Sequence, residues 1–309
     1  MSEASVSDPV LRTDASRRIK VSKTYKLFVG GKFPRSESGR VYEVTDRKTG
    51  DWIANVPLGT RKDTRDAVGA ARKAFGGWSG TTAYNRGQIL YRAAEMLEGR
   101  REQFAAEVAA SEGVSARKAA VLVDAAIDRW VWYAGWTDKV AQIAGAANPV
   151  AGPYFNLSTP EPTGVVGVVA PQTGNGFSLL GLVSAIAPVI ATGNTAVVAL
   201  AADAPLPGLT LGEVLATSDL PGGVVNLISG RTADIAPTLA SHQDVNALDL
   251  TGVISLEGHG SAQVLEALAA DTLKRVRRSD VTDDWTAAPG TERLLAFLET
   301  KTVWHPMGI

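Results

Sequence analysis

Between residues 165 and 270 the chain alternates short, predominantly apolar runs with segments of helical period, and this alternation restricts the fold more than any other feature. The apolar runs are 165–170 (VVGVVA), 195–200, 224–228 and 247–250. The helical segments between them are 178–191, 206–217, 232–240 and 255–270. A strand that is apolar on both faces must be covered on both, and a helix between successive strands returns the chain for a parallel pairing. The reading is an α/β chain with a doubly wound, Rossmann-like parallel sheet. Such sheets take ligands beyond the carboxyl ends of their strands.

The N-terminal half reads differently. Residues 26–33 (KLFVGGKF) alternate around Gly30 and Gly31 and predict a β-hairpin. Two further strands are expected at 41–44 and 52–56, with Thr49, Gly50 and Asp51 as the turn. Thr60 caps the next helix with Asp63 three residues on, and Ala67, Ala70, Ala71 and Ala74 give it a small-residue face. Helices are expected at 85–100, 102–111 and 117–140. Trp130, Trp132, Tyr133 and Trp136 crowd the last of these. Trp132 and Trp136 share a face, Trp130 points elsewhere, and packing of helix on core is favoured over an aromatic ligand box. Residues 148–163 are rich in Pro and Gly and read as an extended arm. Past 276 come a polar stretch, a short helix at 291–297 and a terminal strand at 300–304 (TKTVW).

Composition narrows the function classes. A hydrophobic fraction of 45% with 20% charged residues is that of a globular protein, and a net charge of −1 gives no general attraction to nucleic acid or acidic membranes. The longest nearly apolar run, 179–191, is interrupted by Ser184 and Pro188 and is too short to cross a bilayer. Residues 1–26 are polar, lack the apolar core of a signal peptide and read as a flexible arm. There is no cysteine, hence no disulfide framework and no thiolate metal site. The expected location is cytoplasmic.

The segments LFVGGKF, SGRVYEV and TGDWIANVPLGT, followed by GVVGVVAP, IAPVIATGNTAVV, DLPGGVVNLISG and LASHQDVNALDLTG, resemble the aldehyde dehydrogenase superfamily in order, from Leu27 to Val276. KTVW and the following Met-Gly resemble that family's closing strand. The narrower resemblance is to the degenerate second half of the double-length aldehyde dehydrogenase 16 group. The resemblance implies a cofactor-binding fold plus a small β oligomerisation element. That family attacks its aldehyde with a cysteine thiolate, which this chain lacks.

Residue by residue, the chain departs from the family at each chemical position. Where the family has P-W-N-F-P, whose Asn amide stabilises the oxyanion, this chain has Pro171-Gln172-Thr173-Gly174-Asn175-Gly176-Phe177, with Asn175 as the relic of that Asn. Gly174, Asn175 and Gly176 also compete as a phosphate loop, against a plain turn. The ribose-gripping K-P-S-E has become Ala199, Leu200, Ala201 and Ala202. Gly230 matches a family glycine after the third strand, and the F-T-G-S turn is Leu250, Thr251, Gly252 and Val253. The E-L-G-G motif with its general base is replaced by Arg277, Arg278, Ser279 and Asp280. The segment that would hold the catalytic domain is expected to be missing. No catalytic residue and no metal ligand are assigned, and the cofactor positions Asn175, Ala199, Ala202, Gly230, Gly252 and Val253 are read as vestigial.

Other constellations carry less. His242, His259 and His305 have no metal-ligand spacing; His242 reads as a helix-end residue and His259 as a surface residue. Asp283, Asp284 and Trp285 read as a solvated loop. The organisation expected is a flexible arm (1–26), N-terminal strands and helices of the cofactor-binding-like domain (27–147), an oligomerisation arm (148–163), a Rossmann-like unit (164–276) and a C-terminal linker, helix and strand (277–309). The resemblance then implies a non-catalytic subunit that holds no cofactor itself. Its partner is a full-length catalytic homologue that binds NAD(P), and no nucleic acid or membrane is expected. A ligand-sensing module with a vestigial nucleotide pocket, and an oxidoreductase using a non-cysteine mechanism, stand as alternatives.

Overall fold

The computed structural model describes residues 21–253, 258–278 and 283–308. The first segment, at Phe28–Lys32, is a minimal hairpin: Val29 and Lys32 exchange backbone hydrogen bonds at 3.0 Å around Gly30 and Gly31, whose φ values of 62° and 74° give the turn its left-handed pair. Its flank does something the alternation did not reveal. Phe28 pairs antiparallel with Leu227 and so extends the edge of the main sheet.

Strands β1 (Val41–Thr45) and β2 (Trp52–Pro57) form an antiparallel ribbon. Helix α1 (Arg61–Gly80) begins with a complete capping box between Thr60 and Asp63. Ala67 and Ala71 lie at 0% exposure, so the small-residue face lets the helix approach the sheet closely. Helices α2 (Ala83–Glu98), α3 (Arg101–Glu112) and α4 (Ala116–Ala134) follow. The expected helix 117–140 is broken: Gly135 ends α4, and α5 (Val140–Ala144) is a separate short piece. Trp130 and Tyr133 are buried in the core, while Trp132 and Trp136 pack against each other at its margin, with centroids 5.4 Å apart.

Strand β3 (Ala146–Ala147) precedes the arm, which forms β4 (Tyr154–Pro162). After them come β5 (Val165–Val169), a π-helical turn (Phe177–Gly181), α6 (Leu182–Ala191), β6 (Thr195–Ala199), α7 (Leu206–Ala216), β7 (Val225–Ile228), α8 (Thr232–Ser241), β8 (Ala247–Asp249), α9 (Ala262–Ala270), β9 (Arg275–Arg277), α10 (Glu292–Leu295) and β10 (Leu298–Pro306). The helix expected at 255–270 is shorter. Short 3-10 turns stand at Thr251–Val253 and Gly258–Gly260, and the start of the expected helix lies outside the described residues.

The main sheet is parallel, with order β7-β6-β5-β8-β9. Strand β9, with the sequence Arg-Val-Arg, carries no apolar run and escaped the sequence reading. It joins because β8 offers its edge, pairing Ala247, Leu248 and Asp249 with Arg275, Val276 and Arg277. Side chains alternate between two cores. Val166, Val168, Ala196 and Val198 face α2–α4, α6 and α7; Val165, Val169, Val197 and Ala199 face α1, α8 and α9. The strand order reverses between β5 and β8, so the switch-point crevice opens where residues 170–176 and 250–253 leave the sheet. Among the described residues no helix is long and apolar enough to cross a membrane.

Strand β4 pairs with β10 over nine residues, from Leu298↔Pro162 to Pro306↔Tyr154. Only residues 278–297 separate β9 from β10.

Candidate functional site: the closed crevice

Four side chains from separate parts of the chain converge on the carboxyl end of the sheet. Gln172, just past β5, donates Nε2–H to the Ala170 carbonyl at 2.6 Å, and its Oε1 accepts from the Ala202 amide at 3.2 Å. Tyr42, on β1, donates its hydroxyl to the Ala202 carbonyl at 3.0 Å. Burial, reinforced by Asp203, pushes the Tyr42 hydroxyl well above its ordinary pKa, so it stays protonated as a donor. Both polar groups of the Ala202 peptide are thus taken from within the chain.

Glu112, at the end of α3, fills a third position. Its carboxylate accepts from the Gly176 amide at 2.9 Å, the Ser178 amide at 3.0 Å and the Ser178 hydroxyl at 2.6 Å. These amides open the helix after β5. They are the donors that an anion would need there, and a side-chain carboxylate already holds them. Glu112 thus holds the turn at Gly174, Asn175 and Gly176 from within the chain. Gly174 and Gly176 have positive φ (105° and 77°), and Asn175 is exposed.

Trp285 is the fourth. Residues 283–285 are not the solvated loop expected from their two carboxylates. Asp284 is exposed, but Trp285 is 3% exposed and packs close to Gly181 and Pro171, where a Cβ on Gly181 would lie 3.0 Å from the indole and 3.1 Å from the proline. Arg293 stacks on its ring at 4.8 Å. Arg129, itself buried, donates to the carbonyls of Trp285 at 3.0 Å and Ala287 at 2.9 Å, and to the Ser184 hydroxyl at 2.8 Å. A cavity of about 10 Å3 remains between Pro171, Gln172, Thr173, Thr251, Gly252, Asp283 and Trp285, about the space of one water molecule.

An ion-pair cluster anchors this segment. Asp249, the last residue of β8 and 1% exposed, lies 3.2 Å from Arg293 and 3.7 Å from Arg277; Arg293 also pairs with Asp283 at 2.5 Å. The Thr251 amide donates to Asp249 at 3.0 Å. A buried carboxylate needs such partners. No apolar pattern marks Asp249, Arg277 or Arg293, and the one visible signal was an acidic residue ending an otherwise apolar run.

The remaining vestigial positions are dispersed. Ala199 is at 0% exposure inside the sheet's second core, and Val253 is 2% exposed in that same core rather than facing the crevice. Gly252 passes so close to β5 that a Cβ would lie 1.9 Å from the Ala170 carbonyl oxygen; Gly230, at φ 150°, lies against Gly59. His242 caps the end of α8 and accepts from the Asp244 amide through Nδ1 at 3.1 Å. The ring nitrogen is thus used within its own turn, and burial lowers its pKa. His305 stands exposed on β10, and the side chain of His259 lies outside the described residues. Among the described residues no group of three His, Asp or Glu side chains is placed to hold a metal.

The five-stranded parallel sheet with helices on both faces defines a chain of the doubly wound α/β class. The aldehyde dehydrogenase family model matches residues 33–277, and the chain belongs to that family. It is 36% identical over 239 residues to aldehyde dehydrogenase family 2 member B4, mitochondrial, of Arabidopsis thaliana, covering 76% of this chain and 43% of that protein. It is 33% identical over 258 residues to retinal dehydrogenase 2 of Gallus gallus, covering 82% and 48%. Among solved structures, the NAD+ complex of an aldehyde dehydrogenase from Bacillus cereus superimposes with a TM-score of 0.74 at 27% identity, over 83% of this chain and 50% of that one. The chain spans about half the length of these relatives.

The groups that line the crevice are engaged within the chain. The Ala202 peptide is hydrogen-bonded to Gln172 and Tyr42, the helix-opening amides are held by Glu112, and the space over Gly252 is closed by Trp285.

Proposed function

We propose that this chain is a non-catalytic aldehyde dehydrogenase-like subunit that assembles with a full-length, catalytic, NAD(P)-dependent homologue. The observation that supports the reading is the self-filled crevice: Gln172, Tyr42, Glu112 and Trp285 occupy the carboxyl end of the sheet and engage its backbone groups from within the chain. The sequence also has no cysteine to act as a thiolate. The narrower likeness to the degenerate half of the aldehyde dehydrogenase 16 group belongs to the same proposal.

The assembly surface proposed is the β4–β10 ribbon. It stands out from the main sheet with Phe155 at 57%, Leu157 at 47%, Val303 at 45% and Trp304 at 58% exposure. Leu157 and Val303 are cross-strand partners, so the ribbon presents apolar side chains together. Among the described residues β10 is an edge strand. An edge of this length and apolarity is an aggregation risk unless another sheet or chain covers it.

The test is co-purification with the native catalytic homologue from its source extract, using the intact chain and a chain ended after Glu299. The shortened chain retains Phe297, which is 2% exposed and whose carbonyl accepts from Asn194 at 2.9 Å, so the main core stays anchored. Co-purification by the intact chain only is the expected result, with both chains equally folded by circular dichroism. Equal recovery with the shortened chain, or a stable monomer of the intact chain in extract, contradicts the reading.

A further inference from the structure

A second concavity lies away from the crevice, beside the β1–β2 ribbon, and its chemistry is different. It has a volume of about 340 Å3 and is lined by Lys23, Arg35, Arg40, Val41, Trp52 and Asn55 among others, with no carboxylate in its wall. We propose that this groove binds an anion carrying a planar ring, of the class of a nucleoside monophosphate.

Two guanidiniums supply the charge. Arg35 and Arg40 are exposed, and neither guanidinium has a hydrogen bond or ion pair among the described residues. The acidic groups around them are committed elsewhere. Asp63 accepts from the Ser36 hydroxyl at 2.8 Å, the Glu37 amide at 3.0 Å and the Thr60 amide at 2.9 Å. Glu37 accepts from the Thr60 hydroxyl at 3.2 Å. Glu213 is held by Lys23 at 3.0 Å and Arg100 at 2.5 Å. Lys23 is thereby neutralised and acts as wall rather than charge. Glu43 is cross-strand from Asn55 and lies outside the lining. The groove therefore keeps two forked cations without a counter-charge, the donor geometry that suits a phosphate or carboxylate.

Trp52 supplies the ring platform. It is 51% exposed, although its strand buries Ala54 and Val56 on the opposite face. Its indole Nε1–H donates to Asn55 Oδ1 at 3.2 Å. An exposed indole offers a face on which a planar heterocycle can stack. Val41, 56% exposed, and Pro57 extend the apolar wall. The volume sits at the lower end of small-molecule sites, about 300–1,000 Å3, which suits one nucleotide and not two.

The test is calorimetry on the full chain with AMP, GMP, adenosine and inorganic phosphate, repeated for the double variant Arg35→Gln/Arg40→Gln and for Trp52→Ala and Trp52→Phe. All three positions are exposed, and circular dichroism checks folding. The expected result is saturable binding of the monophosphates at least tenfold tighter than adenosine or phosphate alone. The double variant and Trp52→Ala each weaken it tenfold or more, and Trp52→Phe retains most of it. If Trp52→Ala fails to fold, the arginine pair and Trp52→Phe decide. Absence of saturable heat with AMP and GMP at millimolar concentration overturns the proposal, as does binding that the arginine pair leaves unchanged. Binding of an acidic peptide but of neither nucleotide also overturns it.

Discussion

The Glu112 carboxylate accepts from both the amide and the hydroxyl of Ser178, at 3.0 and 2.6 Å, and so closes the helix start that follows the first strand of the parallel sheet. Replacing Glu112 with Ala frees the Gly176 and Ser178 amides and removes a charge-assisted cap. The expected loss is about 1–2 kcal/mol. Urea unfolding measures it, and a loss below a few tenths would show that the loop holds its shape without the carboxylate.

Arg293 to Met leaves Asp249 at 1% exposure with Arg277 at 3.7 Å as its remaining cation. An uncompensated buried carboxylate costs about 3–5 kcal/mol, and Arg277 offsets part of that. The expected destabilisation is about 2–3 kcal/mol. Adding Asp249→Leu should recover much of it, because the charge that needed a partner is gone. A double variant no more stable than the single one contradicts this account of the cluster.

Glu107 makes a pH-dependent contribution. It is 9% exposed, and burial raises its pKa above the ordinary 4.5, against the opposing pull of Lys23, Thr210, Gln103 and Tyr25 around it; Glu213 faces the same Lys23. The folded state holds this proton more tightly than the unfolded chain does. Its contribution is therefore full below 4.5 and is lost as pH rises through the raised folded value. Glu107→Gln should become progressively more stable relative to the unaltered chain as pH rises from 4.5 toward neutrality. Parallel stability curves would show that Glu107 ionises in the fold as easily as in the unfolded chain.

The parallel sheet was legible because both faces of β5, β6 and β7 are covered, which leaves nearly continuous apolar runs in the sequence. The capping box at Thr60 and the core of the closing strand, expected at 300–304 and found at Leu298–Pro306, were legible for equally local reasons. Strand β9 was not, since an Arg-Val-Arg strand joins only because Asp249 and the edge of β8 await it. The helix break at Gly135 and the hairpin's pairing with Leu227 likewise depend on neighbours distant in sequence. At the site, the losses at Ala199, Ala202 and Val253 were readable from side-chain chemistry. What fills the crevice was not: Gln172, Tyr42, Glu112 and Trp285 come from four parts of the chain, and Trp285 directly follows two carboxylates that read as solvated.

The closed crevice is tested most directly by hydrogen exchange of the full chain in millimolar NAD+, followed at residues 170–178, 199–204 and 250–253. Gln172, Glu112 and Trp285 already hold these backbone segments, so the predicted result is no added protection at any of them, even if peptides beside Trp52 respond. Clear protection of the Gly176, Ala202 and Gly252 amides at that NAD+ concentration would show that the crevice opens to a dinucleotide, and would contradict the account of this chain as a subunit that has closed its own cofactor site.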